Sequence, residues 1–125
     1  TVEIRIMANT SILNTVKKAI GISPDDDSFD DQIIMYINSS FAVIHQLGVG
    51  PKKNYVIEDA NNKWDEYMES SYARNLVQNL LVKEVQKKFD PPTSSSVATA
   101  LNEEINELIY RLNMEAEVDS DTDID

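Results

Sequence analysis

Apolar residues recur at three- and four-residue steps in four separate stretches of this chain, and polar or helix-breaking residues divide each stretch from the next. The first stretch sets Ile12, Leu13, Val16 and Ile20 on one helical face, with Ser11 placed to cap its start and Gly21 to stop it. That spacing predicts a helix over 11–20. The second, 28–47, carries Ile33, Ile34, Ile37, Phe41, Ile44 and Leu47 as a single stripe. Asp30 and Asp31 fall in its first turn, where the helix dipole favours carboxylates, and Gly48 ends it. From Trp64 onward Tyr72, Leu76, Val77, Leu80, Leu81, Val85 and Phe89 continue the rhythm as one central helix. In the last stretch Val97, Leu101, Ile105, Leu108 and Leu112 form a narrower seam, with Glu103, Glu104 and Glu107 on other faces.

The boundary between the last two helices is the sharpest in the chain. In Phe89-Asp90-Pro91-Pro92-Thr93-Ser94-Ser95 the tandem prolines remove two backbone donors and bias the residues before them away from helical geometry, while the serines offer oxygens to cap the next helix. One helix therefore ends near Phe89 and another begins near Ser95. Residues 49–63 hold glycine, proline and asparagine around a short β-prone run, Tyr55-Val56-Ile57, which reads as a loop with one small hairpin. The fold class is mainly α: a small bundle of about four helices, with a short β-hairpin between the second and central helices. Its core centres on Ile37, Phe41, Ile44, Leu76, Leu80, Leu101 and Leu108, and Trp64 is expected to pack rather than to stand exposed.

With 125 residues the chain is the size of one domain with one core. Residues 1–6 alternate weakly and precede Met7, the expected initiator, so they read as an upstream or appended remnant; 7–117 form the single helical domain. Charge changes the picture at the other end. There are 22 acidic against 11 basic residues, a net charge of −11, which argues against a protein built to grip phosphate backbones. The acids gather at Asp25, Asp26, Asp27, Asp30 and Asp31, and again after Arg111, where every charged residue is acidic. Residues 118–125 bury too little apolar surface to order themselves and are expected to form a flexible acidic tail. No apolar run reaches the roughly 20 residues that span a bilayer, and no contact with a membrane is expected.

The chemistry available is sparse. The chain has no cysteine and a single histidine, His45, which without partners makes neither a typical zinc site nor a catalytic base, so it reads as a structural or interface residue. The Asp25 to Asp31 cluster offers no register with the glycine and glutamate of a calcium loop, and reads as a solvated, helix-capping turn. Gly48-Val49-Gly50-Pro51 follows a helix and lacks the lysine of a phosphate loop. No cofactor, no metal and no enzymatic activity are expected.

Five blocks carry a resemblance: Leu13-Asn14-Thr15-Val16-Lys17-Lys18, Asn38-Ser39-Ser40-Phe41, Gln46-Leu47-Gly48-Val49-Gly50-Pro51, the double-proline block at 89–95, and Arg111-Leu112-Asn113-Met114-Glu115-Ala116-Glu117. Together they resemble the head–tail connector, or adaptor, proteins of tailed bacteriophages, as in siphophages of Gram-positive hosts and the HK97-like group, over nearly all of 7–117. The resemblance implies a helical subunit of a ring, twelve-fold in the virion, that sits beneath the portal, continues the DNA channel and presents a platform for the stopper or tail-completion protein. It implies location at the head–tail interface of the virion, and in the host cytoplasm during assembly. Where members often carry aromatic or arginine-rich residues ahead of the double-proline block, this chain reads Leu81-Val82-Lys83-Glu84-Val85-Gln86-Lys87-Lys88.

Within that expectation, ring contacts fall on acidic Glu66 and Glu69 against basic Arg74, Lys83 and Lys87, and portal docking falls on the last segment, with Asn113, Met114, Val118, Asp119 and Asp121. Double-stranded DNA would pass without specific binding, because a lumen without a lattice of lysine and arginine contacts does not hold it by counterion release. A reading from a different class stays open beside this one: an acidic helical module that mimics nucleic-acid charge and regulates a basic partner. Mass measurement, alone and with portal protein, separates a ring-former from such a mimic.

Overall fold

The computed structural model describes residues 10–124, with side chains as far as Glu117. Among the described residues five helices succeed one another: α1 Ile12–Ala19, α2 Asp30–Gln46, α3 Trp64–Tyr67, α4 Tyr72–Phe89 and α5 Ser95–Ile124. Helix α4 packs against α2 on one side and α5 on the other, and α1 closes on both α2 and α4. The core is mainly helical side chains, as the apolar spacing requires: Ile37, Phe41, Ile44, Leu76, Leu80 and Leu101 are all buried, and Leu108 packs half-buried against them.

The helix boundaries show where local signals act. Ser11 Oγ accepts a hydrogen bond from the Asn14 amide at 3.2 Å, and Gly21 and Gly48 take the positive φ of helix-ending glycines at 89° and 87°. The central helix departs from the expectation of one continuous element. Met68 adopts extended geometry, with φ −164° and ψ 139°, so α3 closes after one turn, and Ser71 restarts the chain as α4 by accepting from the Arg74 amide at 3.1 Å. Arg74 fastens the break: its Nη1 lies 2.6 Å from Asp65 Oδ1 and donates to the Met68 carbonyl at 3.0 Å. A helical rhythm that runs through 64–89 therefore belongs to two helices, with a serine cap and a buried arginine holding the interruption between them.

The expected hairpin does not form. Among the described residues the pairing of extended chain is limited to one isolated antiparallel bridge, Ser11 with Lys63, flanked by Ile12 N to Asn62 O at 3.0 Å and Trp64 N to Thr10 O at 3.1 Å. The partner that Ile57 would have found in a second strand is instead a side chain. Asn38 of α2 donates from Nδ2 to the Ile57 carbonyl at 3.0 Å and accepts from the Ile57 amide at 2.8 Å, which satisfies the backbone of a buried residue without a ladder. Tyr55 then stacks edgewise on Phe41 with ring centroids 5.3 Å apart. Trp64 is 1 % exposed, with its indole N–H donating to Thr15 Oγ1 at 3.1 Å, so it is a core residue as expected.

Between α1 and α2 the acidic turn holds one ordered ion pair. Lys17, 1 % exposed, directs Nζ to Asp30 Oδ1 at 2.7 Å and to the Pro24 carbonyl at 3.2 Å, tying the end of α1 to the start of α2.

Helix α5 has 30 residues, about 45 Å of helix, and is longer than the apolar seam of the last stretch requires. Its seam continues one turn beyond Leu112: Ala116 packs on the core, 3.5 Å from where a Cβ on Gly48 would stand. The backbone stays helical past Glu117, the expected end of the domain, to Ile124. Residues 1–6 and Met7 lie outside the described residues.

Candidate functional site

The surfaces available for assembly are set by how α4 and α5 pair. They run antiparallel, with Lys83 Nζ 2.6 Å from Glu104 Oε2 near one end and the Tyr72 hydroxyl 3.4 Å from Arg111 Nη1 near the other. Arg111 also holds Glu107 Oε1 at 2.8 Å from Nη2; this hydrogen-bonded carboxylate raises the guanidinium pKa. Between the two helices lies an open groove of about 440 Å³ bordered by Tyr72, Leu76, Asn79 and Leu108, with the Lys83 and Arg111 pairs on its rims. A second groove, about 450 Å³, opens at the α4 start between Pro51, Met68, Tyr72 and Glu115. Tyr67 borders it: burial pushes its phenol pKa up, and its hydroxyl finds no hydrogen-bond partner among the described residues.

The five residues expected at a ring contact are distributed unequally. Glu69 and Lys87 are exposed. Glu66 is exposed too, but its carboxylate accepts from the Lys63 amide at 3.3 Å and from Asn62 Nδ2 at 3.3 Å, so it caps its own helix. Lys83 is paired with Glu104. Arg74, 4 % exposed, is committed inside the subunit and is not an exposed cation. Of the residues expected to dock the portal, Asn113 and Met114 are exposed on α5, while Val118, Asp119 and Asp121 lie on its helical backbone beyond the described side chains. The α4–α5 register brings Tyr72 level with Arg111, so this last part of α5 runs beyond the start of α4.

Periodicity alone misses three features of this surface. Exposed Met35 and Val43 on α2, and Tyr110 on α5, are apolar residues outside the seams. Lys88, in the last turn of α4, lies over the Tyr36 ring at 5.9 Å. His45 is half-buried near the end of α2. Among the described residues no group of three or more histidine, aspartate or glutamate side chains is placed to hold a metal ion, and no helix is long and apolar enough to cross a membrane.

The surface, then, is a helical bundle with two shallow grooves and carboxylates concentrated along one long helix. Residues 12–119 match a protein-family model described as phage connector protein. The chain belongs to that family. No curated protein and no solved structure matches it. Membership gives the connector a structural role in joining a phage head to its tail, in the virion, and accounts for a fold whose work is done by surfaces.

Proposed function

We propose that the connector assembles as a closed ring, twelve subunits in the virion, beneath the portal of a filled head, extends the DNA channel and receives the stopper or tail-completion protein. The observation that carries this reading is α5. It is 30 residues long, its acidic end runs past the start of α4, and every charged residue after Arg111 is negative. A projecting anionic helix suits docking to a basic rim on the portal, with Val118, Asp119 and Asp121 on the projection and Asn113 and Met114 at its root. Helical geometry there reduces the ordering cost of docking compared with a disordered arm. Contacts between subunits fall on the exposed Glu69 and Lys87, with Glu66 and Lys83 available at the cost of their present partners. A negative channel wall lets DNA slide, since few cations are present to exchange for its counterions.

The test is electron microscopy and native mass measurement of the purified chain, alone and mixed with portal protein, joined to a tail-attachment assay. Closed rings on the portal and a loss of tailed particles when residues 119–125 are deleted, with the melting temperature unchanged, are expected. A chain that stays monomeric on portal-bearing heads sinks the ring, and such a chain that instead binds basic DNA-binding proteins favours the nucleic-acid mimic. A truncated chain that supports tail joining in full reduces the acidic end to a solubility feature.

A further inference from the structure

Two exposed stripes lie on the outer flanks of the bundle. On α2, Met35 (57 % exposed), Ser39 and Val43 (47 % exposed) face away from the Ile33, Ile37, Ile44 seam. On α5, Tyr110 (64 % exposed) and Met114 (49 % exposed) face away from Leu101, Ile105 and Leu112. Because α2 and α5 each pack on α4, and their mutual contact is slight, the stripes belong to different sides of the subunit. Their electrostatic settings also differ. The α2 stripe carries no charge of its own between Met35 and Val43, and Glu84 and Lys88 of α4 both lie beside Val43, with Lys88 also over Tyr36. The α5 stripe is bracketed by exposed carboxylates, Glu103 before Tyr110 and Glu117 after Met114, while Glu107 beside it is paired with Arg111.

We infer that the α5 stripe of one copy seats on the α2 stripe of the next, with Tyr110 packed between Met35 and Val43. The proposal rests on the ring reading and specifies its seam. A closed ring needs two different, complementary patches on each subunit rather than one self-complementary patch. Charge selects the pairing. Two α5 stripes placed face to face would oppose Glu103 and Glu117 of both copies and repel, whereas α5 on α2 sets those acids against a stripe with no charge of its own, bordered by one glutamate and one lysine. An exposed tyrosine flanked by methionine is also the side-chain chemistry enriched at interface centres.

The chain has no cysteine, so introduced thiols report on the seam alone. Ser39→Cys and Asn106→Cys, the latter exposed one turn before Tyr110 so that the tyrosine is kept, combined in one chain and treated with a short bis-maleimide alone and on portal-bearing heads, should give a ladder of covalent oligomers up to the full ring. Either substitution alone should stop at dimers. Because Ser39 is exposed and central to its stripe, charge placed there gives opposite signs: Ser39→Glu should lower the ring fraction about tenfold or more, and Ser39→Lys should raise it, both differences shrinking in high salt. Rings seen by microscopy with no ladder, or with equal yields from the Glu and Lys variants, overturn this seam and leave the ring intact. No ring in the unsubstituted chain, with or without portal-bearing heads, overturns both.

Discussion

Helices α4 and α5 are neighbours in the same antiparallel pair, yet one is enclosed by its own subunit and the other is half open. On α4, Val77, Leu81 and Val85 are fully buried, and Leu76 and Leu80 widen the apolar side next to them, so apolar residues surround much of the helix. On α5, Leu101, Ile105 and Leu112 make one narrow seam, and the opposite side shows Tyr110 and Met114 to solvent. The lesson is a division of labour. A helix with apolar residues on several faces is already spoken for within the fold, whereas one with a single seam and an aromatic on its far side has surface left for a partner.

Truncating both faces in turn is the largest test of that contrast. Leu81→Ala removes a fully buried side chain from the middle of the bundle and should cost about 3–5 kcal/mol; Leu80→Ala falls in the same range of about 2–5 kcal/mol. Tyr110→Ala should leave thermal stability nearly unchanged while lowering assembly. A melt that drops as far for Tyr110→Ala as for Leu81→Ala would show that α5 is enclosed as fully as α4.

The enclosed half also carries buried charge, and there the choice of replacement matters. Lys17 is buried with Asp30 beside it, and Lys17→Ala leaves that carboxylate without its cation and opens a cavity, for a loss of about 2–4 kcal/mol. Lys17→Met keeps the volume and should recover part of the loss. Equal melts for the two variants would mean that packing contributes nothing at this joint.

A smaller effect is expected where the loop meets α3. Gly50 holds φ at 94°, and a Cβ there would stand 2.8 Å from the Tyr67 hydroxyl, so Gly50→Ala should cost about 1–3 kcal/mol by strain and displacement of Tyr67. Gly21 has φ 89° with open space around it, so Gly21→Ala isolates the conformational part, about 1 kcal/mol. Denaturant midpoints should place Gly50→Ala below Gly21→Ala; the reverse order would remove the clash from the account.

Legibility in the sequence divides along the same line. Helix ends set by local chemistry, Ser11, Gly21, Gly48 and the double proline, stand where the sequence reading puts them, because a cap or a stop acts over three or four residues. The core of α2 and α4 is readable because burial imposes the period. The features that escape depend on distant partners. The break at 68–71 has no glycine or proline, and its one local signal, Ser71 three residues before Arg74, gains force only through Asp65. Asn38 is merely a polar residue on a helix until Ile57 comes to lie beside it. Among the residues expected at ring contacts, Arg74 qualifies by charge alone, and burial within its own subunit reverses that assignment.

The smallest expected effect belongs to the acidic turn at the enclosed end. Asp26 is fully exposed, and hydrogen bonding from the Ser28 hydroxyl, followed by that from the Ser28 amide at 3.1 Å, holds its carboxyl pKa below the ordinary value of 3.8. Linkage sets the sign: a carboxyl whose folded pKa is depressed contributes stability that is present above its unfolded pKa and fades as pH falls through the folded one. The connector's melting temperature should therefore carry a slight Asp26-dependent decline only below about pH 4. Asp26→Asn keeps an oxygen for Ser28 and removes the titration, so the gap between variant and unsubstituted protein should be small at pH 7 and should close in acid. A gap that instead widens as the solution is acidified would show that Asp26 serves the turn through some contact other than its hydrogen bond to Ser28.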